Sequence, residues 1–228
     1  MVNHKWISPV IAAMLIIALV AGCGPPTEEE VPEEVVIKIG TSVPQTGPWA
    51  GLIPFVVPGC SDYIRYASDE KLIPGVKLEA LVGDTGYSPA GSLAVYKRFV
   101  DEGIVAMYTM TSTDSEALTH ALIDDQIPGV MGCLTHKCLV PGTMQFAAIP
   151  MYSDIPTAHL EYITKKWDYE GEGRKPRIAN FGFDNPMGRA MGLGRDYYLE
   201  HYNIEFSPDM DIIIPFEYTD ATPELIRI

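Results

Sequence analysis

The 228-residue chain carries 16 basic and 30 acidic residues, a formal net charge of −14, and is 47% hydrophobic and 20% charged. This acidity excludes a nucleic-acid binder, which needs a basic footprint. The apolar content is that of a globular protein with a real core, and the length accommodates one large or two small domains.

The first residues read as a targeting segment. His4 and Lys5 make a weakly basic start, residues 7–21 are apolar with few interruptions, and Val20-Ala-Gly-Cys23 closes the segment. A basic start, an apolar middle and small residues before a cut site make a secretory signal. The apolar run is short for a membrane span and lacks a stop-transfer pattern. The closing tetrapeptide resembles a lipobox, with residues 1–22 removed and Cys23 as the lipidated first residue of the mature chain; the alternative is an uncleaved N-terminal anchor. Both place the protein outside the cytoplasmic membrane. Residues 23–34, rich in proline and glutamate and free of aromatics, cannot build a core and read as a flexible acidic tether.

Val35 to Ile39 is a β-branched run suited to a strand buried on both faces. It leads into a loop containing Pro44, Gly47, Pro48 and Gly51, with hydroxyls on Thr41, Ser42 and Thr46, the amide of Gln45 and the ring of Trp49. Such a loop beyond a strand end either grips a small polar molecule through Gln45, Thr46 and Trp49 or is an ordinary strand-to-helix turn. A helix is expected from Phe55 to Lys71 with Tyr63, Ile64, Tyr66 and Ala67 near its buried side. Strand Val76–Val82 follows, then a helix opened by Ser88-Pro89 and reaching Asp101. Ile104–Thr109 is a third strand. Residues 111–115 lead into a helix ending near Asp124. Strands are expected at Ile127–Met131 and Gln145–Ile149, with a loop between them.

Residues 150–154 read as a crossing into a second lobe, with Ser153 or Asp154 capping the next helix and Pro156 in its first turn. Residues 168–176 form a surface turn, Arg177–Phe183 a strand, Pro186–Tyr202 a helix, residues 204–206 and 211–215 short strands, and residues 221–228 the start of a helix. Alternating strands and helices in units of roughly thirty residues define an α/β fold with a doubly wound parallel sheet.

The ordered pieces Ile37-Lys-Ile-Gly40 with Gln45-Thr-Gly-Pro48, Asp62-Tyr-Ile-Arg-Tyr66, residues 83–89, Thr111-Ser-Thr-Asp-Ser-Glu-Ala-Leu118, Gln126-Ile-Pro-Gly129 and Phe183-Asp-Asn-Pro-Met-Gly188 carry a family likeness. Residues 35–228 resemble extracytoplasmic solute-binding proteins of ABC transporters, of the branched-chain amino-acid-binding type. The resemblance implies two Rossmann-like lobes of the type I periplasmic binding protein fold closing on a solute: an N-terminal lobe at 35–150 and a second at 151–228. The second is shorter than in the family, so the sequence is expected to stop inside it. It further implies a receptor that binds an amino acid, amide or small carboxylate and delivers it to an ABC permease. The solute's carboxylate is implied to meet Thr111, Ser112 and Thr113, with Cys133, Leu134 and Thr135 on the next loop and Phe183 and Asp184 from the second lobe. Met187 stands where the family often has an aromatic residue, which leaves room for a less polar ligand.

Cys133 and Cys138 flank Leu134-Thr-His-Lys137; free thiols, a disulfide and, with His136, a metal site are all open from spacing alone. Cys60 is expected to be a small buried residue. Gly188, Gly192 and Gly194 do not have dinucleotide-fingerprint spacing and read as close helix packing. With no Gly-x-Ser-x-Gly elbow, no phosphate loop and no His-Glu-x-x-His pattern, no cofactor or metal is expected. A binding protein is favoured over an enzyme or ligand sensor on a similar fold. Lipidation has a direct check: in a host with the lipidation machinery the chain should partition into detergent, and Cys23→Ser should stay aqueous or keep its leader. Equal partitioning of both forms, each with the leader removed, would overturn the assignment.

Overall fold

A computed structural model describes residues 34–51, 53–190, 192–215 and 220–226. The leader, Cys23 and the tether up to Glu33 lie outside the described residues.

Five strands, β1 (Val35–Val43), β2 (Val76–Asp84), β3 (Ile104–Thr109), β4 (Gly129–Met131) and β5 (Gln145–Ala147), form one parallel sheet in the order β2-β1-β3-β4-β5. Helices α1 (Ile53–Asp69), α2 (Pro89–Asp101) and α3 (Ser112–Asp125) connect them, and a 3-10 turn, His136–Cys138, sits between β4 and β5. The strand order reverses direction at β1/β3, the point where such sheets open a crevice beyond their carboxyl ends.

β1 runs four residues further than the apolar run suggests, so Thr41 and Ser42 lie fully buried in the strand rather than in the loop. Burial grows along it: Val35 and Val36 at its start are exposed, which corrects the expectation of a strand buried on both faces throughout. On α1, Ala67 is buried but Tyr63 and Tyr66 point to solvent, at 65% and 53% exposure, against the sequence reading of that face. Cys60 is only half-buried. The main core is built by Tyr96 and Phe99 of α2, Ile104 and Met107 of β3, Leu118 and Leu122 of α3, and Met131 and Leu134.

Two helix starts follow sequence rules closely. The Ser88 hydroxyl accepts the Gly91 N–H, and the Thr111 hydroxyl accepts the Asp114 N–H at 3.1 Å. Asp114 itself is fully buried. Its carboxylate accepts from Ser92 Oγ of α2 at 2.5 Å and Thr109 Oγ1 of β3 at 3.0 Å. At the next residue, Ser115 Oγ donates to the Cys133 carbonyl at 2.7 Å, and Gln145 Nε2 donates to the Ser115 carbonyl at 2.6 Å. These side-chain bonds tie α3 to β3, α2, the loop after β4 and β5.

The second group of elements is α4 (Ile155–Lys166), α5 (Tyr169–Glu172), β6 (Arg177–Phe183), α6 (Pro186–Ala190), α7 (Arg195–His201), β7 (Glu205–Ile214) and α8 (Thr222–Leu225). β6 and β7 pair in parallel, with a register irregularity between Ile178 and Asn180. β7 is one strand where the sequence suggested two pieces. Leu160, Tyr198 and Ile204 form its small core with Ile178, Tyr202 and Phe206 around them. Residues 169–172 are a short helix, capped by Asp168, rather than a plain turn. At α4 the expected side-chain cap is not made: Asp154 occupies the cap position without a capping bond. The helix expected over residues 186–202 is two helices. Gly194 lies where a Cβ would come within 2.4 Å of the Tyr198 ring, and a Cβ at Gly188 would come within 2.1 Å of the Phe183 carbonyl oxygen. Both glycines therefore serve close packing.

Replacing Asp114 by Ala leaves the buried Thr109 hydroxyl without this acceptor and leaves Ser92 only the Ser88 carbonyl, cutting the links from α3 to β3 and α2. This should cost about 2–3 kcal/mol in urea unfolding; a midpoint equal to the wild type would show that the buried carboxylate does not hold these elements together.

Candidate functional site

The carboxyl ends of both sheets face a cleft of about 730 Å³. From the first sheet come Pro48 after β1, Gly86, Tyr87 and Pro89 after β2, and Thr113, Glu116 and Ala117 on the first turns of α3. From the second come Asp184, Asn185, Pro186 and Arg189 after β6, and Pro215 after β7. This is the placement expected of an open α/β sheet, repeated on both sides.

The loops are held by their own polar bonds. Asp84 at the end of β2 accepts the Thr46 N–H at 3.1 Å, the Thr46 hydroxyl at 2.8 Å and the Gly86 N–H at 2.9 Å. Burial acts to raise the Asp84 pKa, but the bonds from Gly86 and Thr46 outweigh it and hold the carboxyl below the ordinary aspartate value. Tyr87 has its backbone in the left-handed region, with φ of 55°. Its ring centre lies 6.0 Å from that of Trp49. Its hydroxyl accepts a hydrogen bond from Asn185 Nδ2 at 3.0 Å, which joins the β2–α2 loop to the β6–α6 loop. Asn185 is 4% exposed, and its Oδ1 accepts the Gly188 N–H at 2.8 Å, so one amide caps α6 and crosses the cleft.

Of the residues singled out from sequence, Thr113 and Asp184 line this cleft. Asp184 is paired with Arg189. Gln45 instead borders a separate hollow of about 280 Å³ with Ala50 and residues of α1. Thr46 is engaged by Asp84, and Trp49 packs behind Tyr87 rather than on the cleft wall. Thr111 is the buried cap of α3, and Ser112 is buried. Leu134 is a core residue at 1% exposure. Thr135, also 1% exposed, donates its hydroxyl to Glu116 Oε1 at 2.6 Å. The Cys133 carbonyl holds Ser115, and Phe183 ends β6 with its backbone pressed against Gly188.

The bridge considered between Cys133 and Cys138 is not formed: both are free thiols. Cys133 Sγ accepts the Tyr152 hydroxyl at 2.7 Å, whereas Cys138 is buried in the core. Burial pushes both thiols above their ordinary pKa, so neither is a ready thiolate. Among the described residues no group of three or more histidine, cysteine or acidic side chains is placed to hold a metal ion. His136 Nδ1 is hydrogen-bonded to Ser153 Oγ, a hydroxyl–imidazole pair that the sequence did not reveal. It borders a second cavity of about 540 Å³ with Thr157, Tyr197 and Tyr198, away from the cleft.

Sequence reasoning missed Tyr87, Glu116, Asn185 and Arg189. Three of them, Tyr87, Glu116 and Asn185, stand inside motifs already singled out, but nothing local marks their side chains as facing a common space.

Two parallel α/β sheets present their carboxyl ends to one cleft. The sequence profile described as "Periplasmic binding protein" matches residues 36–228, and the chain belongs to that family. The fold is that of type I periplasmic binding proteins. No curated protein matches the chain in sequence. Among solved structures, it is similar to a fatty acid ABC transporter substrate-binding protein from Thermomonospora curvata, with 17% identity, a TM-score of 0.70 and coverage of 89% of this chain and 51% of that one. A branched-chain amino acid ABC transporter protein from Thermus thermophilus with bound valine gives 20% identity and a TM-score of 0.71, covering 85% of this chain and 50% of that one. A solute-binding protein of an ABC transporter from Rhodopseudomonas palustris BisB5, in complex with 3,4-dihydroxybenzoic acid, gives 14% identity and a TM-score of 0.66, covering 84% and 51%. The chain thus spans about half the length of these structures.

The Asp84 geometry has a pH consequence. A carboxyl whose folded pKa is depressed contributes stability above its unfolded value and loses it as pH falls through the folded value. The amide proton shifts of Thr46 and Gly86 should therefore titrate together below about pH 4, the ordinary aspartate range. In Asp84→Asn this shared titration should vanish; its persistence there would assign the step to another group.

Proposed function

We propose that this chain is the receptor of an ABC transporter, binding a small solute between its lobes outside the cytoplasmic membrane and delivering it to a permease. The observation that carries the reading is the cleft itself, lined from the strand ends of both sheets and crossed by the Asn185–Tyr87 hydrogen bond. Family membership supports it. Solved structures of similar fold are described as binding or transporting valine, 3,4-dihydroxybenzoic acid and fatty acid, which agrees with a small organic solute here. Residues 35–150 form the first lobe in this reading and residues 151–228 belong to the second. Cys23 carries the lipid that keeps the receptor at the membrane. No helix among the described residues is long and apolar enough to cross a membrane.

The cleft combines rigid apolar walls, Pro48, Pro89, Pro186 and Pro215, with a few polar groups, Thr113, Glu116, Asn185 and Arg189. That is the composition of a site that binds and orients a small molecule. The Ser153–His136 pair lies outside this cleft and ties the 3-10 turn to the start of α4.

Ligand-observed NMR with valine, octanoate and 3,4-dihydroxybenzoate at millimolar concentration tests the reading. At least one should receive saturation from the protein. Ala117→Trp, which puts a large ring on the cleft wall, should weaken that binding roughly tenfold or more, equivalent to about 1.4 kcal/mol, with little change in melting temperature. Binding that is indifferent to Ala117→Trp would move the solute site elsewhere.

A further inference from the structure

The first sheet is covered unevenly. Its strands are all parallel, and sheets of that kind are normally buried on both faces. The step from β1 to β2 runs along the sheet in the opposite direction to the steps from β2 to β3 and from β3 to β4. With right-handed crossovers, this puts α1 on one face and α2 and α3 on the other. The α2–α3 face is closed, with Met107, Met131 and Gln145 buried. On the α1 face, the helix packs over β1 and β2. Tyr108, Val130 and Phe146 stand in register across β3, β4 and β5, each one residue from a side chain buried on the closed face, so they point to the α1 face. Val130 is 48% and Phe146 57% exposed, and among the described residues no element covers this floor.

α1 makes a ridge beside it. Ser68 Oγ accepts the Leu78 N–H of β2 at 3.0 Å, so that flank of the helix turns to β2. Gly59, nine residues earlier, lies on the opposite flank, toward β3. Phe55, Tyr63 and Tyr66 share that flank at helical spacing, and all three are exposed, Phe55 by 81%. A Cβ at Gly59 would meet nothing within 4 Å. Glycine weakens a helix interior, and no contact among the described residues requires one here; it leaves room for another surface to come close.

We infer that this face is an interface between two copies of the chain, packed about a two-fold axis so that the α1 ridge of each copy lies on the β3-β4-β5 floor of the other. Ridge and floor on one surface are self-complementary, and a two-fold pairing closes after two chains. Charge favours this occupant. The chain carries a net −14, yet β3, β4 and β5 contain no charged residue, and Asp62 and Arg65 on α1 pair with each other. Two acidic copies can therefore meet here without stacking like charges. The area is sufficient as well. Phe55, Tyr63, Tyr66 and Phe146 are each more than half exposed. At the area typical of an aromatic side chain they offer on the order of 500 Å², most of the roughly 800 Å² per partner of a standard interface. None of these residues lines the cleft, so the pairing does not rest on the receptor reading and leaves the cleft open.

Sedimentation equilibrium on the whole chain carrying Cys23→Ser, which keeps the lipid off, tests the inference. Across the micromolar range the mass should rise to that of two chains and stop there. Phe146→Glu should raise the dimer dissociation constant at least about tenfold, with an unchanged melting temperature. Gly59→Arg should do the same, and because arginine is the better helix former it should not lower the melting temperature. Both variants should bind the solute probes like the parent chain. A monomer at every concentration, or a mass that grows past two chains, would overturn the inference. So would association that both variants leave intact, which would assign it to the apolar leader. A monomer that instead floats with phosphatidylcholine vesicles, and loses them in Phe146→Glu, would overturn it in favour of a lipid surface.

Discussion

The arrangement depends on one buried carboxylate. Asp114 is shut away from water at the start of α3, where an ionised group is costly unless hydrogen bonds replace its hydration. Ser92 and Thr109 provide those bonds, one from the neighbouring helix and one from the strand that feeds α3. The helix start contributes its favourable end of the dipole to the same negative charge. The result is that α2, β3 and α3 have one relative position that satisfies all three groups. Thr113 and Glu116 face the cleft because Asp114, between them on the helix, faces the core.

The join between the lobes is of the same kind. Asn185 is nearly fully buried, and its amide uses both ends, Oδ1 toward α6 and Nδ2 toward Tyr87. Tyr87 adopts a backbone conformation that side chains other than glycine rarely take, and such strain concentrates where a side chain must be aimed. Behind it, Asp84 fixes the two loops that flank the cleft on the first-lobe side. On the second-lobe side, Gly188 lets α6 lie directly against the end of β6. The cleft walls are therefore held by short polar bonds and tight backbone contacts, which suits a site that must keep its shape without a ligand.

The chain's strong negative charge does not extend evenly into the cleft, where Asp184 and Arg189 offset each other and Glu116 keeps a charge held in place by Thr135. Net charge governs solubility and long-range attraction, whereas recognition depends on the few groups that are both desolvated and oriented.

The sequence by itself determined the element order and much of its extent. Short segments opening after glycine or proline marked β2, β3 and β6 to within two residues, and Ser88-Pro89 and the hydroxyl-rich residues 111–115 marked two helix starts, because these signals act over a few residues. It also pointed to the loops after the strands, several of which line the cleft. What it left undecided was which side chain turns inward. Thr111, Ser112 and Thr113 are alike in type, yet successive helical residues point about 100° apart, so one caps, one is buried and one lines the cleft. Thr135 looks like a ligand hydroxyl until the fold brings Glu116 within 2.6 Å of it. Asn185 and Tyr87 are 98 residues apart and meet only because two sheets face each other. Local patterns encode backbone conformation; partnership across the cleft is decided by long-range packing, and only the tertiary structure contains it.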